Sequence, residues 1–228
     1  MKKNIFIIVA LLLLVLAGVW VWKTAYLSFD PVKNGLKALN KRDYGTAMKF
    51  FVKAQAKGDP RGDYWIGQLY DHGCGVPGSF QEAKKFYLNS ALKGYTDGYV
   101  SIGALYLQGR GTPLDYLEAM KWFRKAADQG NSYGQVQIGR LYHYGQGVNQ
   151  DYSEAMNWYQ KAAAQGNTNA MCDIARLYEK GEGVTQDYQE AIMWYQKVAD
   201  LGDSYIKATI QDRKRFVTPS PDKSINKR

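Results

Sequence analysis

Four side chains belong to the residue types that commonly act as nucleophiles, bases or metal ligands. They are the two cysteines and the two histidines: Cys74, Cys172, His72 and His143. A zinc site needs three or four such ligands brought together, and a nucleophilic cysteine needs a base beside it. Neither histidine has a histidine, cysteine or carboxylate partner at a ligand spacing that recurs along the chain. The sequence therefore predicts no metal, no cofactor and no enzyme active site.

A regular series of aspartates is the other feature that could do chemistry. Asp115, Asp151 and Asp187 are separated by 36 residues, and a glutamate follows each of them three positions later. A side-chain oxygen at the N-cap with a carboxylate three residues on is a capping box, which marks the start of a helix. Ser79 with Glu82 makes a fourth box. We interpret the series as helix caps and not as catalytic carboxylates.

The 36-residue spacing of the caps extends to the whole segment around them. A Gly-x-Leu-Tyr signature begins at Gly67, Gly103 and Gly139, and Ala175 replaces the glycine in the fourth copy. Identical letters at a fixed period of this length indicate a repeat array. Each copy closes on a glycine, and these glycines are Gly58, Gly94, Gly130, Gly166 and Gly202.

Each copy is predicted to hold two antiparallel helices. In the third copy, Ile138 and Leu141 lie on one apolar stripe of a first helix, Gly145 ends it, and Asp151 begins the second. A glycine followed at once by an N-cap residue then makes a tight turn into the next copy. Stacked helix pairs of this kind predict an all-α fold, a right-handed α-solenoid. The predicted repeats are residues 58–94, 94–130, 130–166 and 166–202.

The segments on either side of the repeats are predicted to cap the array. Residues 24–57 keep the register of a second helix but have a shorter loop, which is typical of a partial tetratricopeptide-like cap. A further first helix after Gly202 is predicted to serve as the C-terminal cap and to end the array at residue 216. Residues 217–228 are basic and contain two prolines, which predicts a disordered tail.

The repeat pattern resembles a known family. Gly-x-Leu-Tyr, Gly-x-Gly-Val, Asp-Tyr-x-x-Ala, Trp-Tyr-x-x-Ala-Ala and a final glycine are the motifs of the Sel-one-like repeat (SLR), a subclass of the tetratricopeptide-like solenoids. The resemblance covers residues 58–202, and the first copy departs most from it, with Ser79 and Phe86 in place of Asp and Trp. It implies an interaction scaffold, because members of that family mostly act as adaptors that hold other proteins.

The N-terminal segment predicts contact with a membrane. Ile5–Trp22 is a run of 18 residues without a charge, long enough for a helix of about 27 Å that just crosses a hydrocarbon core. We interpret residues 1–23 as an uncleaved anchor, because Trp20 and Trp22 suit an aromatic belt. The alternative is a secretory signal cleaved after Ala17.

The side of the membrane on which the repeats lie is the next prediction. Lys2 and Lys3 before the span favour export, which places the repeat domain in the periplasm on a single-pass inner-membrane anchor. Two alternatives stay open. The chain could be released into the periplasm after signal cleavage, or Lys23 and the basic residues that follow it could hold the repeats in the cytoplasm.

The charge distribution argues against a nucleic-acid partner. The chain has a net charge of +9, yet residues 58–202 contain 13 basic and 16 acidic side chains, a net charge of −3. A solenoid that binds nucleic acid is expected to carry its basic charge on the repeats.

These observations predict a membrane-tethered adaptor that binds a protein or peptide through the concave face formed by the first helices. The alternative is an envelope immunity protein that neutralises a secreted toxin of the phospholipase type. A repeat enzyme is disfavoured, since no nucleophile is paired with a base. On the first helices, three columns lie opposite the packed positions and vary from copy to copy. The predicted partner-binding residues in them are Trp65, Gln68, His72, Ser101, Gln108, Gln137, Arg140, Tyr144, Asp173, Arg176 and Lys180.

Overall fold

The computed structural model describes residues 30–203 and 206–217, and these residues form eleven helices with no strand. They divide into two compact units, one ending at Gly78 and the other beginning at Ser79. The first unit holds α1 (Pro31–Asn40), α2 (Tyr44–Ala56) and α3 (Pro60–His72).

The second unit holds eight helices, and each packs against the next one in the chain. They are α4 (Phe80–Leu92), α5 (Thr96–Gln108), α6 (Tyr116–Asp128), α7 (Ser132–Tyr144), α8 (Tyr152–Ala163), α9 (Thr168–Lys180), α10 (Tyr188–Asp200) and α11 (Ile206–Val217). The predicted all-helical repeat solenoid is confirmed for this part of the chain, while the right-handed sense of its superhelix stays a prediction.

The second helix of each repeat begins where the cap residues predict. In α8, the Asp151 carboxylate accepts a hydrogen bond from the backbone N–H of Glu154 at 2.9 Å. Asp115 and Asp187 accept from Glu118 and Glu190 in the same way, at 3.0 and 3.1 Å. This satisfies one of the N–H groups that a helix start leaves without a partner.

The other half of the predicted capping box is absent from the described residues. The backbone N–H of Asp151 donates instead to the carbonyl oxygen of Tyr142, at 3.0 Å, and Asp187 donates to Tyr178 at 2.9 Å. The glutamate has no donor left to accept from, because that N–H already has a partner. In the second, third and fourth repeats, the tyrosine of the Gly-x-Leu-Tyr signature therefore ties the end of the first helix to the start of the second.

The glycine of the same signature allows two helices to approach closely. A methyl group placed on Gly139 of α7 would lie 2.5 Å from the ring of Tyr159 on α8. Gly103 lies against Phe123 in the same way, at 2.7 Å. Such distances are well inside van der Waals contact, so a side chain there would push the ring out of its place. Ala175 stands in this column in the fourth repeat, where it packs with Tyr195 in one buried cluster.

The glycine of the loop between the two helices links one repeat to the next. Gly147 has a φ of +72°, and a methyl group on it would lie 2.7 Å from the Cβ of Tyr116 in the preceding repeat. The left-handed backbone and the lack of space both favour glycine.

The tryptophans of the second helices differ in their burial. Trp158 is buried, whereas Trp122 and Trp194 are half-buried. A lysine one helical turn later lies over each indole ring, as Lys197 does over Trp194 at 3.7 Å. A lysine stem can cover apolar surface while its charge stays in water, so the ring need not be fully enclosed.

The last described helix contributes one buried side chain to the core. Ile210 of α11 joins the buried cluster that contains Ala191 and Tyr195. Arg213 donates to the carboxylate of Glu179 on α9, which fixes the polar side of α11 to the preceding repeat. The helix ends at Val217, the residue at which the basic tail was predicted to begin.

Several predictions from the sequence lie outside the described residues. The anchor Ile5–Trp22, the first residues of the N-terminal cap and residues 218–228 are among them. Of the eleven described helices, none combines the length and the apolar character that crossing a membrane requires.

Candidate functional site

The predicted binding residues lie on the first helices, as expected, and are divided between the two units. Trp65, Gln68 and His72 lie on α3 of the first unit. The other eight lie on the first helices of the second unit, α5, α7 and α9. We call the exposed side of these three helices the first-helix face.

In the first unit, Trp65 is a packing residue as well as a candidate contact. Its ring is half-buried and stacks on Phe51 of α2, with centroids 5.8 Å apart and an interplanar angle of 18°. Gln68 donates to the Tyr64 hydroxyl at 3.1 Å, and the exposed His72 donates from Nδ1 to the Gln68 carbonyl. The stacking supports the interpretation that Trp65 seals α3 against the N-terminal cap, and its role in binding stays a prediction.

In the second unit, one column of the predicted face is exposed in every repeat. Gln108, Tyr144 and Lys180 occupy equivalent positions at the ends of α5, α7 and α9, and all three are exposed. Tyr144 has 61% of its surface accessible. The column is therefore available to a partner, and its chemistry changes from an amide to a phenol to an ammonium.

The column that begins with Ser101 does not lie free on the surface. Ser101 is half-buried, while Gln137 and Asp173 are only 5% and 6% exposed. The sequence stripe placed these residues opposite the packed positions, but a first helix also packs against helices of the adjacent repeat. That second set of contacts covers residues that a single helix would expose.

The buried Asp173 holds two arginines. Its Oδ2 accepts from Nε of Arg140 on α7 at 2.8 Å, and its Oδ1 accepts from Nη1 of Arg176 at 2.6 Å. Removing one partner of a buried ion pair is costly because the remaining charge stays out of water. The three residues thus join the third repeat to the fourth and, together, carry one net positive charge.

A cavity opens beside Arg140 on the first-helix face. Its volume is about 240 Å³, and its walls come from α5, α6, α7 and the loop after α7. The residues that line it are Leu107, Tyr116, Gln137, Arg140, Leu141, Tyr144 and Gln146. Apolar walls with a few polar groups are the usual composition of a binding pocket.

The repeat pattern does not reveal that a histidine on α7 is buried. Nε2 of His143 lies 3.1 Å from Oε2 of Glu182, although their orientation does not make a hydrogen bond, and Nδ1 has no partner among the described residues. Burial lowers the pKa of His143, and the carboxylate of Glu182 opposes this effect only in part. The counterparts of His143 in two other repeats are Leu107 and Glu179, so no periodic signal marks the pair.

Both cysteines are free thiols. Burial raises the pKa of the Cys172 thiol, which keeps it protonated and unreactive. Within residues 30–203 and 206–217, no group of three or more histidine, cysteine, aspartate or glutamate side chains is placed to hold a metal ion.

The helix pairs and the variable face define a helical repeat protein of the tetratricopeptide-like class. The family model described as Sel1 repeat matches residues 60–95, 97–131, 132–167 and 168–203. The chain therefore belongs to the Sel1 repeat family, and the resemblance seen in its sequence is confirmed.

Solved structures give the same assignment. A Sel1 repeat protein from Oxalobacter formigenes is 32% identical, with a TM-score of 0.68 over 79% of this chain and 74% of that one. A protective antigen of uropathogenic Escherichia coli strains that displays an SLR fold is also 32% identical, with a TM-score of 0.75. That match covers 87% of this chain and 44% of the antigen.

A third structure shares the fold at lower identity. An immunity protein from Pseudomonas aeruginosa is 24% identical over 71% of this chain and 60% of that one, with a TM-score of 0.53. Among the curated proteins, no match was found.

Proposed function

We propose that this chain is a membrane-tethered scaffold that binds a partner protein through the concave, first-helix face of its repeats. The observation that carries the proposal is the exposed column of Gln108, Tyr144 and Lys180. Its side chains differ from repeat to repeat, whereas Leu105, Leu141 and Leu177, one helical turn before them, are identical and buried. Packing accounts for the constant positions, and contacts to different stretches of one partner account for the variable ones. Membership of the Sel1 repeat family supports a scaffold over an enzyme.

The test is an affinity purification of the full-length chain from its native cells, with the bound proteins identified by mass spectrometry. The triple variant Gln108→Ala, Tyr144→Ala, Lys180→Ala is expected to lose a partner that the wild type retains. The matched control changes three exposed residues of the second helices, Leu117→Ala, Asn157→Ala and Gln160→Ala, and is expected to retain it. Equal recovery with both triple variants would show that the first-helix face is not the binding face.

The tether is proposed from the sequence of Ile5–Trp22. Extraction of native membranes with alkaline carbonate is expected to leave the chain in the membrane pellet, with residues before Ala17 still present in its mass spectrum. A chain that begins at Gly18 would replace the anchor with a cleaved signal. Protease added to spheroplasts is expected to degrade the repeats if they are periplasmic and to spare them if they face the cytoplasm.

The alternative function, immunity against a secreted phospholipase-type toxin, differs in the identity of the partner. The immunity protein among the structural relatives supports it only through the fold, because the two chains are 24% identical. The same affinity purification separates the two functions. Immunity requires the bound protein to be a toxin whose effect on the cells is suppressed by producing this chain.

A further inference from the structure

We infer that Arg140 and the cavity beside it form a docking site for an acidic side chain of the partner, next to an apolar one. The inference rests on the proposed function and names the chemistry that one stretch of the first-helix face recognises. Three features carry it, namely the free donors of Arg140, the lining of the cavity and the charge balance of the arginine pair.

The Arg140 guanidinium is held in place by one hydrogen bond, and its other donors remain available. A guanidinium has five N–H donors, and among the described residues the only partner of this one is Asp173, which accepts from Nε. The two terminal nitrogens of Arg140 are therefore available. A carboxylate fits such a pair of donors with two parallel hydrogen bonds, and the fixed Nε bond reduces the conformational entropy lost on binding. Asp173 acts here as a positioning residue.

The cavity offers both apolar contact and a further hydrogen-bonding group. Leu107, Leu141 and the exposed ring of Tyr144 form its apolar part. Gln137 lines it with 5% of its surface accessible, makes no hydrogen bond to the described residues, and keeps its amide group in contact with solvent. The amide is therefore open to a hydrogen bond from a ligand in the cavity, which would take the place of water. Gln137 thus points to a ligand that carries a polar backbone or side-chain group.

The size of the cavity and its charge select the class of ligand. At about 240 Å³ it falls below the roughly 300 Å³ at which pockets for small molecules begin, so it suits one side chain of a larger partner. Asp173 is already shared between Arg140 and Arg176, which leaves one positive charge uncompensated. An acidic side chain complements that charge.

The experiment presents the purified full-length chain to an array of random twelve-residue peptides, acetylated and amidated so that neither terminus is charged. Bound peptides are expected to be enriched in glutamate or aspartate next to an aromatic or aliphatic residue. For the strongest of them, replacing the acidic residue by its amide is expected to weaken binding, measured by fluorescence anisotropy, by about tenfold or more. This comparison needs no change in the protein, so misfolding cannot affect it.

Two protein variants then separate a positioned arginine from a general attraction between charges. Arg140→Gln is expected to weaken binding of the same peptide by about tenfold or more, whereas Arg124→Gln, an exposed arginine on a second helix, leaves it unchanged. Asp173→Asn raises the local positive charge but releases Arg140. A positioned arginine therefore predicts weaker binding, and attraction by charge alone predicts tighter binding.

The outcomes distinguish this inference from the proposed function. One outcome would overturn the acidic site and leave the scaffold intact. In it, the peptides bind the triple-alanine variant of the first-helix face poorly, but they show no preference for acidic residues and their binding is unaffected by Arg140→Gln. A tighter complex with Asp173→Asn would also overturn it. If no peptide binds the wild-type chain, both the acidic site and peptide binding by this face are contradicted.

Discussion

Single residues in the second unit carry effects that no repeat motif predicts, and His143 is the first of them. Because burial lowers its pKa, the folded chain binds a proton there less readily than the unfolded chain does. The stabilising contribution is therefore fully present above about pH 6.5 and is lost as the pH falls below that value. The other charged groups around the imidazole are Glu182, Lys180, Asp173 and Arg176.

The measurement for His143 is the melting temperature of the full-length chain between pH 7.5 and 5. The variant His143→Gln is expected to show a smaller loss of stability over this range than the wild type. His72→Gln, which removes an exposed histidine, is expected to leave the wild-type profile unchanged. An identical pH profile for wild type and His143→Gln would show that the buried imidazole does not contribute.

Arg140 should contribute to stability as well as to binding. Arg140→Ala leaves Asp173 with Arg176 as its single ion-pair partner, so we expect the free energy of unfolding to fall by about 1–3 kcal/mol, less than for a fully buried pair because Arg140 is partly exposed. The double variant Arg140→Ala, Asp173→Asn is expected to regain part of this loss, since it removes the buried charge. Denaturant unfolding measures both, with Arg124→Ala as the control.

The sequence alone would suggest that Arg140 and Arg176 lie on a surface and can be replaced without a change in melting, whereas their ion pairs with Asp173 lead us to expect a change. Helical spacing places the column of Gln108, Tyr144 and Lys180 on the exposed side of the first helices, as the structure has it. It cannot show that Asp173 is buried, because that depends on the helices of the adjacent repeat. The sequence cannot show the ion pair between Arg140 and Asp173 either. These residues are 33 positions apart, and the equivalent positions in the other repeats do not hold such a pair.

At the scale of the helices, the small residue in the glycine column of each first helix sets how closely the second helix packs. Gly35→Ala is expected to destabilise the chain by about 1–3 kcal/mol, because the new methyl group would lie 2.3 Å from the buried Phe51 ring. Gly45→Ala is the matched control in α2. Only the Asp43 carboxylate lies near it, at 4.0 Å, so alanine should be neutral or stabilise by up to about 1 kcal/mol.

Denaturant unfolding of the two variants checks this account of the glycine column. Equal stabilities for Gly35→Ala and Gly45→Ala would show that the aromatic ring can move aside at little cost. Ala175 makes the test informative, because the fourth repeat already accommodates alanine beside Tyr195.

The helices were the most predictable level of the structure. Each predicted second helix begins directly after its cap residue, because the cap is a local interaction between residues three apart. The hydrogen bond from the Asp151 N–H to Tyr142 was not predicted, since it joins residues nine apart and depends on the path of the loop between them. Local chemistry thus determines where a helix starts, and the connection between helices determines which backbone groups remain available.

At the scale of the whole chain, family and fold follow from the 36-residue period and the motifs that it repeats, whereas the identity of the partner does not. Packed positions recur and can be recognised in one sequence, but the exposed positions that we propose contact a partner differ from repeat to repeat. The charge of −3 over residues 58–202 excludes a basic repeat surface, yet it conceals the local positive charge around Arg140. In such a scaffold, specificity is expected to come from the positions whose residues differ between repeats.

The most direct test of the central claim is photocrosslinking in living cells. A benzophenone amino acid is placed in the full-length chain at Tyr144 on the first-helix face, or at Leu117 on a second helix, two sites of similar exposure at 61% and 55%. Irradiation is expected to give a covalent adduct with a partner protein from position 144 and none from position 117. Adducts from position 117 alone, or equal adducts from both positions, would contradict binding through the first-helix face.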